Sequence, residues 1–387
     1  MTTATRPGVH RHFHRFAWLA VALTLCVVVF GAYVRLSDAG MGCPDWPTCY
    51  GRATWPKAAE DAARHAAIDV RPYEIGKAWR EQVHRHIAAI LGVLVLGLAL
   101  LAARKRRFGI ARILAAAALV AAAIPLYMHG EHVLASVLAI LGEAILLYSA
   151  LRWSNLDLAR TATLTLAVII FQSLLGMWTV TLLLKPIVVM GHLLGGLTTL
   201  SLLVWMAWRS THMPITLVDA DRLRRWLIGG LALLGLQIAL GGWVSANYAA
   251  LSCGAGSWSM SNFPQCVGRW WPPADFREGF VLWRGIGVDY EGGVLDGASR
   301  IAIQMAHRVM AGLLALYLLA LGWRLLRTPG LRGWAATLVA ALGLQISLGI
   351  LNVKLSLPLH VAVAHNAGAV LLLFVLVTLL ARLRRPV

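Results

Sequence analysis

The chain has 387 residues, of which 59% are hydrophobic and only 13% are charged, and its mean hydropathy is +0.70. A soluble domain carries about 25% charged residues, so this composition excludes a large soluble enzyme, a disordered chain and a fibrous protein. The formal net charge of +18 would indicate a nucleic-acid partner if the basic residues lined one face. They instead form short clusters between long apolar runs, which is typical of a protein that crosses the lipid bilayer many times.

Ten apolar segments are long enough to cross the hydrocarbon of a bilayer, which takes about 20 residues per helix. They are approximately 16–35, 82–103, 109–127, 132–151, 162–184, 186–208, 226–248, 301–323, 333–353 and 358–381. The third is the shortest, and Pro125 interrupts it. An eight-span arrangement without 109–151 fits the charges equally well, because removing a hairpin preserves the polarity of the later spans. No cleavable signal peptide is expected, since the first run leads into Arg35 and not into small residues.

The distribution of charge predicts which loops face the cytoplasm. With an inside N-terminus, the cytoplasmic segments hold 20 Lys and Arg against three acids, whereas the outer segments hold 15 against 13. Glu143 is the one remaining acid and lies within a span. The asymmetry predicts a multi-pass protein with ten crossings and with both termini in the cytoplasm.

Four of the five cysteines fall in two long loops, about 36–80 and 249–300, that this topology places outside. Disulfides persist in that compartment, so we expect one pair between Cys43 and Cys49 and another between Cys253 and Cys266. The pairs either staple their loops or take part in redox or ligand handling. Cys26, in the first span, is expected to be a small buried apolar residue.

An internal repeat marks four spans and the helices that come after them. A motif with glycine near the outer helix end recurs at 31–34, 172–180, 237–244 and 345–353, and the last three copies begin with glutamine. Each copy is followed by a helix with a histidine about two turns from its outer end and with Ala or Gly four residues later. These histidines are His84, His192, His307 and His365.

The spacing of the histidines predicts the architecture. His84 and His192 are 108 residues apart, His307 and His365 are 58 apart, and the difference of 50 is what an extra hairpin near 109–155 would need. We therefore expect an all-α membrane protein that repeats a four-helix bundle in tandem, with a hairpin inserted into the first copy. The predicted halves are 1–215 and 216–387, and the histidines should form two pairs at one depth.

Ionisable residues within a span are costly, so they are candidate functional residues by default. One histidine could be a satisfied interhelical hydrogen-bonding group, but four at repeated positions argue against that. The small residue at i+4 lies on the same helical face and leaves room for a flat ligand. Two opposed imidazoles are axial ligands that an iron porphyrin accepts. Zinc is disfavoured, because the thiols are not at helical spacing with the histidines.

The two halves differ at one informative position. Glu81 lies three residues before His84, whereas Gln304 takes the matching place before His307 and cannot carry charge. The first half is therefore the candidate for chemistry and the second for permanent cofactor binding. Arg85 and Arg308 directly follow their histidines and are candidates to bind porphyrin propionates. The alternative is that both arginines are charges that extend to the membrane interface.

These residues resemble the haem A synthase family. The similarity covers most of the chain, through the Cys-Pro-Asp-Trp-Pro loop within 31–51 and the repeated motifs. The matching stretches are 31–51, 81–85, 172–196, 237–244, 307–308 and 345–365. The order of these pieces and the duplicated Glu/Gln-x-x-His-Arg make the match specific.

The resemblance implies a membrane oxidoreductase that converts haem O into haem A, the cofactor of terminal oxidases. A ring methyl is hydroxylated twice, and the resulting diol loses water to leave a formyl group. The family pattern implies that His307 and His365 hold a resident haem b, and that His84 and His192 hold the substrate haem. It also makes Glu81 essential to the chemistry and implies that the outer cysteine pairs assist haem handling. The site would lie towards the outer face of a bacterial inner membrane.

Physical chemistry suggests what Glu81 does. Oxidation of the methyl develops positive charge at the porphyrin edge, and a carboxylate in a medium of low dielectric stabilises that charge or takes the departing proton. A haem O synthase and oxidase assembly factors are candidate partners, and the electron donor is not identified by the sequence.

Two other functions use some of the same features. A b-type di-haem cytochrome linked to quinol would need the histidines but neither the Glu81/Gln304 difference nor the cysteines. A transporter or channel would need broken helices and a polar path at the midplane. The hairpin 109–151, with Glu143 and with His129, Glu131 and His132 at its tip, departs from the usual eight-span core of the family. Glu143 and His86 are expected to be structural.

Overall fold

A computed structural model of the chain describes residues 9–62, 72–211, 213–254 and 263–386. Within these ranges the regular structure is helical except for two strands of two residues each, and ten helices are long and apolar enough to cross a membrane. They are α1 Phe13–Leu36, α3 Ile75–Ala103, α4 Gly109–Met128, α5 His132–Arg152, α6 Ala159–Thr181, α7 Pro186–Arg209, α8 Ala220–Ala246, α10 Gly297–Leu326, α11 Arg332–Lys354 and α12 Leu359–Arg382. Two short helices, α2 Ala59–Ala62 and α9 Phe276–Gly279, lie in the long loops.

The prediction of an all-helical polytopic membrane protein is therefore confirmed, and each predicted span has its helix. The largest difference is at the start of α3, which begins at Ile75 although the apolar run begins only near residue 82. The first two turns of α3 carry polar residues, and Ala78, Glu81 and Gln82 are nevertheless buried against the loop before the helix. Protein contacts, which hydropathy does not register, therefore extend this helix.

The inserted segment forms two full helices, α4 and α5, which favours ten spans over eight. Pro125 lies in the last turn of α4, and the helix continues past it to Met128. The two helices pack closely, because a Cβ at Gly142 would come within 2.9 Å of Val120 Cγ2 and 3.0 Å of Ala116 O. At the tip, the ring of Tyr127 lies edge-on to Trp46, with centroids 6.1 Å apart. The hairpin thus contacts the first long loop.

The described residues divide into two compact units. One falls within Met1–Gly31, Ala39–Val180 and Gly195–Pro214, and the other within Ala32–Asp38, Thr181–Leu194 and Ile215–Val387. Helices α1 and α7 each contribute to both units. The division into halves at residues 1–215 and 216–387, each a repeated four-helix bundle, stays a prediction.

The second unit contains a small parallel sheet in which β1 Ile215–Thr216 pairs with β2 Leu383–Arg384. Helix α10 of this unit has a side-chain cap, because Asp296 Oδ1 accepts a hydrogen bond of 2.8 Å from Ser299 N. An aspartate at this position satisfies a backbone donor that the first helical turn leaves unpaired.

Candidate functional site

In the first unit, the glycine of the repeated motif makes room for an imidazole. Gly31 of α1 faces His84 of α3, and a Cβ at Gly31 would come within 2.8 Å of His84 Cε1. The ring of Phe30 lies beside the same imidazole, with centroids 6.3 Å apart. A larger residue at position 31 would have to displace the ring of His84. The glycine therefore fixes how closely α1 and the imidazole approach.

The second unit repeats this arrangement twice. A Cβ at Gly241 of α8 would come within 3.2 Å of His307 Cε1, and one at Gly349 of α11 within 3.0 Å of His365 Cε1. Both imidazoles are half-buried. The structure therefore gives both histidines of the predicted second pair the same glycine contact, and the pairing itself stays a prediction.

The glutamines that open the motif contact the histidines, a role that the sequence pattern alone did not suggest. Gln237 Nε2 lies 3.1 Å from His307 Nδ1 and donates to His307 O at 3.3 Å. Gln345 Nε2 lies 3.4 Å from His365 Nε2. The glutamine amide has an NH2 group that donates hydrogen bonds and a carbonyl oxygen that accepts them, so these side chains can orient either tautomer of the imidazole. The signal was visible as the glutamine four residues before the motif glycine in three of the four copies.

The same glutamines explain a second set of glycines. A Cβ at Gly368 would overlap Gln345 Oε1, and one at Gly195 would overlap Gln172 Oε1. Each of these glycines lies three residues after its histidine, next to the small residue at i+4. Because glycine has a hydrogen in place of Cβ, these positions leave space for the glutamine amide. The first motif copy has Val27 in place of the glutamine, so the motif does not place an amide at this position of α1.

The residues of the second unit fit a haem. Within the described residues, His365 Nδ1 is buried without a hydrogen-bond partner, as are Nε and Nη2 of Arg308. Unpaired buried polar atoms are costly, and a native protein rarely keeps them unless a ligand or water satisfies them. Two half-buried imidazoles and a guanidinium with unused donors match the iron and the propionates of a haem.

In the first unit, Glu81 is tied to the first disulfide loop. Its Oε1 accepts a 2.5 Å hydrogen bond from Arg85 Nη2, and its Oε2 accepts one of 2.8 Å from Cys43 N. The close approach of this loop needs Gly42, where a Cβ would lie 2.5 Å from the backbone carbon of Lys77. Glu81 is thus a buried carboxylate whose position depends on the loop. The corresponding Gln304 is also buried, and its Oε1 has no hydrogen-bond partner among the described residues.

Arg85 holds the same loop through backbone carbonyls. Its Nη1 donates to Asp45 O and to Thr48 O, each at 2.7 Å, and its Nη2 lies 3.4 Å from Cys43 O. Charge-assisted hydrogen bonds of this kind are about twice as strong as neutral ones. The predicted propionate contact of Arg85 stays a prediction, and the contacts that the structure does show bind the loop and Glu81.

The second disulfide loop is held in the same way. Arg308 Nη1 lies 3.3 Å from Gln265 O and 3.4 Å from Pro264 O, and its guanidinium lies 5.3 Å from the centre of the Phe263 ring. Gln265 directly precedes Cys266 as Thr48 directly precedes Cys49. Arg85 and Arg308 therefore each bind the backbone carbonyl of the residue that precedes the second cysteine of their own loop.

Both predicted disulfides are present, between Cys43 and Cys49 and between Cys253 and Cys266. Their loops share an aromatic-Pro-x-Cys-x-Gly-Arg sequence at 46–52 and 263–269. In both, the cysteine and the arginine exchange two backbone hydrogen bonds, and the residue after the cysteine has positive φ, 52° at Tyr50 and 51° at Val267. The internal repeat therefore includes the loops. This part of the repeat was not predicted, although it can be read directly from the sequence.

The remaining predicted ligand is His192, half-buried on α7. His84 lies in the first compact unit and His192 in the second, and the pairing of these two stays a prediction. Cys26 is exposed, contrary to the expectation of a buried residue. It faces outwards from α1 in a span that is only partly covered by protein, and a small apolar thiol is compatible with that surface.

Comparison with known proteins gives one consistent result. Residues 14–130 and 122–377 match the model of the COX15-CtaA family, described as cytochrome oxidase assembly protein. A protein of Shewanella oneidensis named heme A synthase is 36% identical over 374 residues, which cover 94% of this chain and 96% of the relative. A heme A synthase of Rhodospirillum centenum is 33% identical over 43% of this chain and 41% of its own length. A heme A synthase of Caulobacter vibrioides is 28% identical over 56% of this chain and 60% of its own length. The chain belongs to the COX15-CtaA family of cytochrome oxidase assembly proteins.

Proposed function

We propose that this protein is a haem A synthase, a membrane oxidoreductase that oxidises a ring methyl of haem O to the formyl group of haem A. The observation that carries the proposal is the match to the Shewanella oneidensis heme A synthase over 94% of the chain. The geometry agrees with it, since half-buried imidazoles with closely packed glycines recur in both units. The bilayer is the environment of the ten apolar helices.

His307 and His365 are the residues that would hold a resident haem b. Gln237 and Gln345 contact and orient the two imidazoles, and the unused donors of Arg308 would bind a propionate. A haem held by these residues would supply one-electron transfer. Gln304 fits this role because a neutral side chain leaves the site without a base.

His84 and His192 are the proposed ligands of the substrate haem, and Glu81 is the proposed catalytic residue. Arg85 and Cys43 N hold the two carboxylate oxygens of Glu81. With a porphyrin bound, this carboxylate would stabilise positive charge that develops at the porphyrin edge, or it would take up the proton that is released when an external electron acceptor oxidises the methyl group. Arg85 and the loop are positioning groups, because they set where the carboxylate lies.

The proposed topology places both termini in the cytoplasm and both disulfide loops on the outer side of a bacterial inner membrane. The loops come after the first and the seventh spans, so an alternating path puts them on one side. The excess of Lys and Arg in the opposite loops supports this orientation. A haem O synthase or oxidase assembly factor would supply the substrate, and an electron carrier that the chain does not identify would complete the redox cycle.

The b-type di-haem cytochrome is the less favoured function. It needs the same histidines but gives no reason for the difference between Glu81, which is bonded to Arg85 and Cys43, and its neutral counterpart Gln304. Haem extraction from purified protein separates the two functions. A synthase carries one constant haem b with variable haem O or A, and a cytochrome carries two constant b haems.

The direct test is the haem composition of cells that depend on this protein for haem A. Intact protein should yield haem A, and His84→Ala should leave haem O accumulated with no haem A. His86→Ala is the matched control, because this neighbouring histidine is exposed. If cells with His84→Ala made as much haem A as cells with the unaltered protein, the role of His84 would be overturned. If cells with the unaltered protein made no haem A, the proposed function would be overturned.

A further inference from the structure

Lys185, between α6 and α7, is buried in an unusual way. The residue is only 1% exposed, and its Nζ has no hydrogen-bond partner among the described residues. The ammonium lies 3.5 Å from the centre of the Trp283 ring, which belongs to the second disulfide loop region and is itself 65% exposed. Trp283 therefore covers a lysine that is otherwise closed off from solvent.

Burying the ammonium group of Lys185 costs free energy unless an anion pairs with it. Removing an ammonium group from water without hydrogen bonds or an opposite charge is strongly unfavourable. A cation–π contact offsets part of that cost, and it leaves the three N–H donors unused. None of the ion pairs in the described part of the chain includes Lys185. The missing group is thus an acceptor with negative charge.

The helix places Lys185 in line with a proposed haem ligand. Lys185 O accepts hydrogen bonds from Val188 N and Val189 N, so the helical register of α7 starts at this residue. His192 comes seven residues later, which is two turns and about 10 Å along the axis, on the same face. The partial positive charge at the beginning of α7 adds to that of the ammonium.

We propose that Lys185 binds a propionate carboxylate of the porphyrin whose iron is bound by His192. This inference rests on the proposed function, since it assumes a porphyrin at His192. The propionates are the charged edge of the substrate, and charged groups avoid the hydrocarbon of the bilayer. The propionates therefore belong near the end of α7, where Lys185 lies. Lys185 fixes the rotation of the ring about the iron, and hence which ring methyl is presented for oxidation.

A purely structural role for Lys185 makes a different prediction. If the lysine only clamped Trp283 and its loop to α7, its loss would loosen the site for any porphyrin, whether or not the porphyrin carried carboxylates. If Lys185 instead binds a carboxylate, its loss weakens binding only of a porphyrin that carries carboxylates. The comparison of a free diacid with its dimethyl ester therefore separates the two roles.

The experiment measures binding of ferric protoporphyrin IX and of its dimethyl ester to the full-length protein in detergent, with the resident haem in place, by difference absorption spectra. Lys185→Met keeps the apolar stem and removes the charge. We expect it to weaken binding of the diacid about tenfold, the effect of losing one charge-assisted hydrogen bond, and to leave the diester unchanged. Lys57→Met, at an exposed lysine of the first loop, controls for net charge, and His192→Ala should abolish both binding signals.

The possible outcomes distinguish failure of the propionate contact from failure of the proposed substrate site. Equal weakening of diacid and diester by Lys185→Met, or no weakening of either, overturns the propionate contact and leaves the proposed function intact. Wild-type protein that binds neither porphyrin beyond its resident haem overturns the substrate site itself. Binding that survives His192→Ala also overturns the inference, because the porphyrin is then held elsewhere.

Discussion

Glu81 and Arg85 form an ion pair of 2.5 Å one helical turn apart, and the same guanidinium binds the carbonyls of Asp45 and Thr48. The proposed catalytic carboxylate is therefore part of one hydrogen-bonded unit with the disulfide loop. Any change that moves the loop also moves the carboxylate. This coupling leads to the first two predictions.

Glu81→Gln is expected to abolish conversion of haem O while the resident haem b remains bound. Glutamine has the same shape and neither the charge nor the basicity of the carboxylate, so the chemistry fails and the fold survives. Haem analysis of purified protein together with a turnover assay measures both effects. Gln304→Asn, at the corresponding position of the second unit, should retain turnover. Full turnover in Glu81→Gln would refute the proposed role.

Arg85→Gln is expected to make the Cys43–Cys49 disulfide more sensitive to reductant. The variant loses charge-assisted hydrogen bonds to loop carbonyls, and the rate of reduction should rise about tenfold or more. Differential alkylation with mass spectrometry tracks each disulfide separately. Arg308→Gln is the reciprocal control, since it should affect Cys253–Cys266 and leave the first pair protected. Equal reduction of both pairs in either variant would contradict this specific coupling.

Gly349→Ala is expected to reduce the content of bound haem b. Its methyl group would come within 3.0 Å of His365 Cε1, so the imidazole must shift away from its position. Gly343→Ala, on the same helix, places its methyl in open space and should bind haem as the wild type does. The ratio of haem absorbance to protein measures the difference. Equal haem content in the two variants would remove His365 from the proposed ligand set.

Glu143→Leu is expected to stabilise the protein by about 1 kcal/mol, because a buried carboxylate oxygen without a partner is replaced by an apolar group. Glu143→Gln should fall between leucine and the wild type. The midpoint of thermal unfolding in detergent gives the order. Loss of turnover in Glu143→Leu, with stability maintained, would show a functional carboxylate in the hairpin.

The cap of α10 should depend on pH. The hydrogen bonds from Ser299 hold the pKa of Asp296 below its usual value of 3.8. A group with a lowered folded-state pKa stabilises at pH above the unfolded pKa, and that contribution disappears as the pH falls through the folded value. The protection factor of the Ser299 amide, which is the ratio of its intrinsic to its observed exchange rate, should therefore fall as the pH drops below 3.8, and Asp296→Ala should show the lower protection factor already at neutral pH. Exchange in Asp296→Ala that matches the wild type would contradict the cap.

The spans could be predicted closely from the sequence, because hydropathy and helix length decide them. The start of α3 was missed by about seven residues, since its polar first turns are buried by a loop and not by lipid. The two disulfides could be predicted from topology and compartment. The role of the glutamines could have been inferred from the repeat, because Gln237 and Gln345 stand at equal distances from the motif glycines.

Other features could not be predicted from sequence patterns. The contacts of Arg85 depend on how a long loop folds back over α3, which no local pattern encodes. A single lysine between two spans is ordinarily solvated, and only the tertiary fold shows that Trp283 covers Lys185. Long-range packing of loops, which hydrophobic periodicity does not record, decides both features.

The common backbone path of residues 46–52 and 263–269 has a consequence for the ancestry of the protein. If the two segments descend from one copy, the sulphur bridge and its arginine contact already existed before the gene was duplicated. The ancestral polypeptide would then have been half as long and equipped with a complete loop above its histidine. Two such chains could have assembled as a homodimer, and fusion later allowed one copy to acquire the acidic residue while the other kept a neutral amide.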